Sequence, residues 1–237
     1  MIDQQTESFR KIQNDMWRRK AVNFTELKNQ ALIDPLTELF NKRFLYGDVK
    51  TGLVGILEST FKDAERGRDP LSLIMLDIDN FKAINDTHGH LVGDLILKNI
   101  AKVIKTHIRD SDFAIRFGGE EICIILPTTN KVGGAHKAEE IRQVIEKLVF
   151  EGSNMPNNIT ITAGVSTYVP GKSKAISDKN LCYSADKAMY FGKQNGRNQT
   201  WIVSEKTTKK GETILDYKQF NPPESTRPQQ AGQVPGP

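Results

Sequence analysis

Two short runs carry side chains suited to phosphate and metal chemistry. Residues 116–121 read RFGGEE, and upstream residues 76–80 read LDIDN. Two adjacent glycines followed by two adjacent glutamates lie between apolar runs, FAIRF before and ICIILP after. That pattern predicts a tight hairpin with bare backbone and carboxylates at its tip. Glycines at Gly118 and Gly119 let phosphates approach the main chain, and Glu120 and Glu121 supply oxygens for the hard cation that phosphates need. Asp77-Ile78-Asp79 ends an apolar run, so both carboxylates are expected on one side of a strand end, where ligands of open α/β sheets gather. The Ile78 carbonyl can face the same ligand. Two carboxylates and a carbonyl are an oxygen set that Mg2+ accepts.

Further polar groups cluster around these acids in the sequence. FKAIND (81–86) and GHLVGD (89–94) place Lys82, Asn85, His90 and Asp94 close together along the chain. A carboxylate can accept from the ring N–H and exocyclic amine of guanine, and an amide can answer its acceptor edge, so Asp94 and Asn85 are candidates for reading that base. Helix capping near glycine is the plainer role for the same residues. Lys82 could set a positive charge on phosphates. KQNGRN (193–198) puts Lys193 and Arg197 four residues apart, a spacing at which one helix face reaches phosphate oxygens, or at which two cations simply sit well at a helix C-terminus.

The elements that must position these groups follow from hydrophobic periodicity. A helix is expected over 4–33, packing on a partner or on the domain, or lying on the surface. Asp34-Pro35 breaks the chain. Residues 39–66 read as a helix, LSLIMLDI (71–78) as a buried central strand, and helices follow over 80–86 and 92–106. The hairpin strands are expected at 112–117 and 121–127. A helix over 131–150, an alternating strand over 158–168, a helix over 180–193 and a short strand at 200–203 complete the pattern. Five of the ten prolines fall in the last sixteen residues, and 204–237 reads as a disordered tail. The division expected is an N-terminal helix over 1–33 that could serve as a dimerisation stalk, a catalytic domain over 34–203 and the tail.

Composition bounds the rest. The chain has 237 residues, 38% hydrophobic and 26% charged, as an ordinary globular protein does. A net charge of +4, from 33 basic and 29 acidic residues, is too small to point to nucleic acid. No apolar run reaches membrane-span length, and the N-terminus lacks the apolar region of a secretory signal. Cys123 and Cys182 sit in apolar contexts and read as core residues of a reducing cytoplasm.

Taken in order, LIMLDIDNFKAINDTHGHLVGD, RFGGEE and KQNGRN closely resemble the catalytic domain of the GGDEF-domain diguanylate cyclases. DPLTELFNKR (34–43) is similar to that family's entry motif, with Glu38 where glycine is usual, and Ile122 stands where phenylalanine is usual. The resemblance spans about residues 33–203. It implies a palm-like α/β fold, a central and mostly antiparallel sheet flanked by helices, of the nucleotidyl cyclase and polymerase-palm type. Two GTP molecules would condense to cyclic di-GMP with release of two pyrophosphates, across a symmetric homodimer. Asp77, the Ile78 carbonyl and Glu120 would bind two Mg2+ or Mn2+ ions per half-site. Asn85 and Asp94 would read guanine, with His90, Gly118 and Gly119 in the substrate site. Lys82 would stabilise the transition state, and Lys193 and Arg197 would hold phosphates. Glu120 or Glu121 would assist deprotonation of the attacking 3′-hydroxyl. Arg109-Asp110-Ser111-Asp112 matches the family's RxxD site, where cyclic di-GMP binds as inhibitor through Arg109 and Asp112. Two rival readings are a silent domain that senses GTP or cyclic di-GMP, and an interaction scaffold indifferent to nucleotide.

Overall fold

The computed structural model describes residues 32–48, 53–150, 156 and 158–222. The expected helix over 4–33 lies almost wholly outside them. The core element is β4 (Leu71–Ile78), the apolar run of the sequence, with all eight residues buried. It pairs antiparallel with β6 (Glu121–Leu126) on one side and β7 (Ile161–Tyr168) on the other. β5 (Phe113–Arg116) closes the glycine hairpin with β6, and β1 (Phe40–Asn41) lies parallel outside it. On the far edge β8 (Thr200–Thr207) runs parallel to β7 and pairs with β9 (Thr213–Gln219). The seven-stranded order is β1-β5-β6-β4-β7-β8-β9, mostly antiparallel with helices on both faces. This is the palm-like arrangement that the motifs imply.

Period-two alternation along the buried strands divides the core. Ile74, Leu76 and Ile78 of β4, with Ile122 and Ile124 of β6, face α4 (His90–His107) and α5 (Lys131–Glu146). Leu73 and Met75, with Cys123 and Ile125, face α2 (Ile56–Gly67) and α6 (Leu181–Gln194). Both cysteines are thus core residues. α6 lies directly on β7: a Cβ at Gly164 would stand 2.1 Å from the Ala185 carbonyl oxygen. That contact fixes the height of the helix, and with it the position of Lys193 at its end.

Two element expectations need correction. The stretch 39–66 is not one helix. Asn41 caps a short α1 (Lys42–Tyr46) by accepting from the Arg43 N–H, and Gly47, at a φ of 79°, ends it. A two-stranded ribbon, β2 (Gly47–Asp48) with β3 (Leu53–Val54), intervenes before α2. The segment 204–219 is not a disordered tail: β8 continues to Thr207, turns at Gly211 with a φ of 84°, and returns as β9. The prolines that dominated the reading begin only at Pro222.

Candidate functional site

The acids converge at one end of the central strands. Asp77, the penultimate residue of β4, is in register with Glu121, the first residue of β6. Asp77 is 4% exposed. Burial raises its pKa to about 6, the Lys193 ammonium acts against that, and the charges of Glu120 and Glu121 add to it. Lys193 Nζ lies 2.7 Å from Asp77 Oδ2. A buried carboxylate, two neighbouring carboxylates and an ammonium already seated on the first describe a site that attracts cations. The Ile78 side chain is buried in the core, which leaves its backbone as the only part that a ligand could use.

The hairpin tip is held from behind. The N–H groups of Phe117 and Gly118 donate to the Glu121 carbonyl at 2.8 and 3.2 Å. Arg116 donates from Nε and Nη2 to the Gly119 carbonyl at 3.2 and 2.9 Å, and from Nη1 to the Asp34 carboxylate at 3.0 Å. Asp34 also accepts from Thr37, and these contacts hold its carboxyl below the usual range in spite of burial. The entry motif therefore braces the glycine tip, a role for Arg116 and Asp34 that spacing alone did not reveal. Glu38 takes a left-handed φ of 55°, which explains why glycine suits that position. Ile122 is fully buried opposite Leu76, so the departure from phenylalanine is a matter of core packing.

Asp79 is drawn away from the acids. Its carboxylate accepts from Thr160 Oγ1 at 2.8 Å, Thr162 Oγ1 at 2.6 Å and the Asn198 N–H at 3.0 Å. Asn198 in turn contacts Glu146 and Arg142, so Asp79 ties β7, α5 and the loop after α6 together. It braces the site and does not offer the second carboxylate that the strand-end pattern implied. A second correction concerns Arg197. α6 ends at Gln194, and Arg197, exposed at a φ of 62°, donates its N–H to the Gly192 carbonyl. Lys193 and Arg197 do not share a helix face, because the chain has already turned out of the helix.

The base-reading candidates sit on α3 (Phe81–His88) and the start of α4. The two helices approach so closely that a Cβ at Gly93 would lie 1.9 Å from Asn85 Oδ1. This oxygen is buried and has no hydrogen-bond partner among the described residues. A group left in that state costs about 1–3 kcal/mol. Asp94 follows Gly93 and is half-buried, while Lys82 and His90 are exposed on the first turns of their helices. Elsewhere, Asp112 Oδ2 accepts from the Arg109 N–H at 2.8 Å, while its Oδ1 is buried without a hydrogen-bond partner among the described residues. Burial raises the Asp112 pKa against the pull of Arg109. The Arg109 side chain is exposed.

Among the described residues no three His, Cys, Asp or Glu side chains form a ready cage for a metal. Magnesium is commonly held by one or two carboxylates, with phosphate oxygens and water completing its shell. Asp77 with the glycine-tip glutamates fits a cation completed by a triphosphate.

The family model for the diguanylate cyclase GGDEF domain matches residues 31–199. The chain belongs to the GGDEF family. Among curated GGDEF proteins, a diguanylate cyclase of Treponema denticola is 37% identical over 184 residues, 77% of this chain and 47% of its own length. Diguanylate cyclase DgcZ of Escherichia coli is 38% identical over 162 residues, 67% of this chain and 53% of its own length. The chain spans about half the length of these relatives. Among solved structures, the GGDEF domain of DgcB from Caulobacter crescentus, in complex with c-di-GMP, aligns with a TM-score of 0.63 at 33% identity, covering 73% of this chain and 93% of that domain. The active GGEEF domain of a Vibrio cholerae diguanylate cyclase aligns with a TM-score of 0.59 at 38% identity, over 68% of this chain and 96% of that one. Among the described residues no helix is long and apolar enough to cross a membrane.

Proposed function

We propose that this GGDEF domain, over residues 34–203, is a diguanylate cyclase that joins two GTP molecules into cyclic di-GMP. The observation that carries this reading is the meeting of Asp77 with Glu120 and Glu121 at the hairpin mouth, where burial, with repulsion from the glutamates adding to it, raises the Asp77 pKa to about 6. Asp77, the Ile78 carbonyl and Glu120 are the ligands assigned to two Mg2+ or Mn2+ ions. Cations held there would lower the pKa of the attacking 3′-hydroxyl and offset the triphosphate charge. Glu120 or Glu121 takes the 3′-hydroxyl proton as the oxygen attacks the α-phosphorus of the other GTP and pyrophosphate leaves. Repeated with the roles exchanged, this closes the ring and releases a second pyrophosphate.

The remaining residues bind and orient. Asn85 and Asp94 read guanine. His90 lines the substrate site, and Gly118 and Gly119 give the phosphates access to bare backbone. Lys82, Lys193 and Arg197 bring positive charge to the triphosphate and its transition state. Each domain presents one GTP, so a twofold homodimer brings the two half-sites together. Cyclic di-GMP inhibits by binding Arg109, whose guanidinium can make a bidentate contact, and Asp112.

The test is incubation of the purified chain with GTP and Mg2+ and mass analysis of the products. A cyclic dinucleotide is expected, with a loss of at least about 100-fold in Glu120→Gln. Glu120→Gln protein that still makes product at the parent rate would overturn the metal assignment, and nucleotide binding without any turnover would favour a sensing domain.

A further inference from the structure

The two cysteines lie together beside the glycine hairpin, in a cluster that the proposed function does not use. Cys123, the third residue of β6, is fully buried, and Cys182, the second residue of α6, is 8% exposed. Both belong to the core layer that α2 and α6 cover. Their side chains hydrogen-bond each other, and both are free thiols. Tyr46, at the end of α1, donates its hydroxyl to Cys182 Sγ at 3.5 Å. Lys42, one turn earlier on α1, sets its Nζ 4.2 Å from the centroid of the Phe117 ring, and that ring meets the Tyr46 ring at 6.1 Å.

These neighbours divide the pair into two roles. The hydrogen bond from Cys123 holds the Cys182 thiol below its ordinary range; burial and the charge of Asp186 oppose that shift, while the Tyr46 hydroxyl and the Lys42 charge support it. A thiolate at a helix N-terminus gains further stabilisation from the backbone N–H groups there. Cys123 shifts the opposite way, because it gives that hydrogen bond and is buried in apolar surroundings. Cys182 is therefore the sulfur that takes negative charge, and it is also the one that a small solute can reach. Cys123 keeps its proton, next to Cys182 and out of reach of solvent.

We propose that Cys182 and Cys123 form an oxidation site for a hydroperoxide, with Cys182 as the reacting thiolate and Cys123 as the resolving thiol of a reversible intramolecular disulfide. The Cys182 sulfur attacks one peroxide oxygen. The O–O bond breaks, the sulfur becomes a sulfenic acid, and the leaving oxygen takes up a proton and departs as water or alcohol. Cys123 Sγ then attacks Cys182 Sγ. The S–S bond forms, the S–O bond breaks, and the hydroxyl leaves as water with the Cys123 proton. The two thiols lose two electrons and two protons, and the peroxide gains them. The bond joins β6 to α6, the elements that carry Glu121 and Lys193. This site does not depend on the cyclase reading.

The test treats the reduced full chain with hydrogen peroxide under native conditions, then alkylates it in denaturant for mass spectrometry. The expected product has lost two hydrogen masses, takes up no alkylating agent and yields on proteolysis a fragment pair that joins Cys123 to Cys182; dithiothreitol reverses it. Cys123→Ala should stop at a Cys182 sulfenic acid that dimedone captures. Cys182→Ala should leave Cys123 at least about tenfold slower to oxidise than Cys182 is in the parent. Tyr46→Phe is expected to slow oxidation about threefold, the scale of one lost hydrogen bond to the thiolate. Thiols that survive until the chain is unfolded would overturn the proposal, as would disulfides found only between chains, or a Cys182 oxidised to sulfinic acid without joining Cys123. The fragment map of the parent chain needs no variant, so it decides the matter even if a cysteine variant fails to fold.

Discussion

The burial of Asp77 carries a cost in stability. Its pKa of about 6 lies above the ordinary 3.8 because burial and two glutamates outweigh one lysine. The folded chain therefore holds a proton that the unfolded chain releases, and between about pH 4 and pH 6 stability falls as pH rises. Above that window the charged carboxylate is a net burden. Asp77→Asn is expected to stabilise the metal-free protein by about 1–3 kcal/mol at pH 7.5, less any loss from leaving Lys193 unpaired, and by little at pH 4. Urea unfolding at the two pH values checks this; equal effects at both would contradict the burial of that charge. At this scale the sequence told of Asp77, Glu120 and Glu121 because carboxylates beside glycines and a strand end are rare without use. It did not tell of Asp79. The threonines and the Asn198 N–H that claim its carboxylate lie 81, 83 and 119 residues away, and no local pattern predicts such partners. Arg116 was in view within its motif, but its tie to Asp34 spans 82 residues.

Helix α6 and the strand beneath it set the geometry of the cationic side of the site. Gly164 lets the helix backbone touch β7, and Gly192, near its end, similarly faces Thr162 Cγ2, which a Cβ would approach to 2.5 Å. Gly164→Val is expected to cost about 1–3 kcal/mol by overpacking and to lift Lys193 from Asp77. Cyclase activity should fall more than stability explains, measured at a temperature where the variant is fully folded; full activity in a destabilised variant would mean that helix height does not matter. Long periodic elements such as β4, α4 and α5 were legible because both faces of the sheet are covered and apolar spacing is continuous. The stretch 39–66 was misread because its apolar residues also satisfy a helical spacing, and the breaks at Asn41, Gly47 and Gly55 act through caps and backbone angles. β9 was missed because an edge strand with one polar face has little hydrophobic signal, and prolines further on coloured the whole segment.

The described residues form a palm that presents one acid-lined mouth, and on the proposed function a product with two new phosphodiester bonds would require two such mouths face to face. Specific activity is therefore expected to fall on dilution, with a midpoint that matches dimer dissociation measured by analytical ultracentrifugation. Constant specific activity with only monomer present would remove the dimer. The match to known GGDEF domains in sequence and in fold makes the family legible from motif order alone, while pairing across the subunits is not written in any one chain's contacts. On the proposed function, carboxylates from β4 and from the glycine hairpin share cations beside a guanine nucleotide. Crystals of the chain with Mn2+ and a non-reactive GTP analogue, examined by manganese anomalous scattering, test it most directly. The account predicts anomalous peaks in direct contact with Asp77, Glu120 and the Ile78 carbonyl, with the nucleotide phosphates completing the shell and Lys193 Nζ moved off Asp77. Manganese located elsewhere, or Lys193 still seated on Asp77 with nucleotide bound, would contradict it.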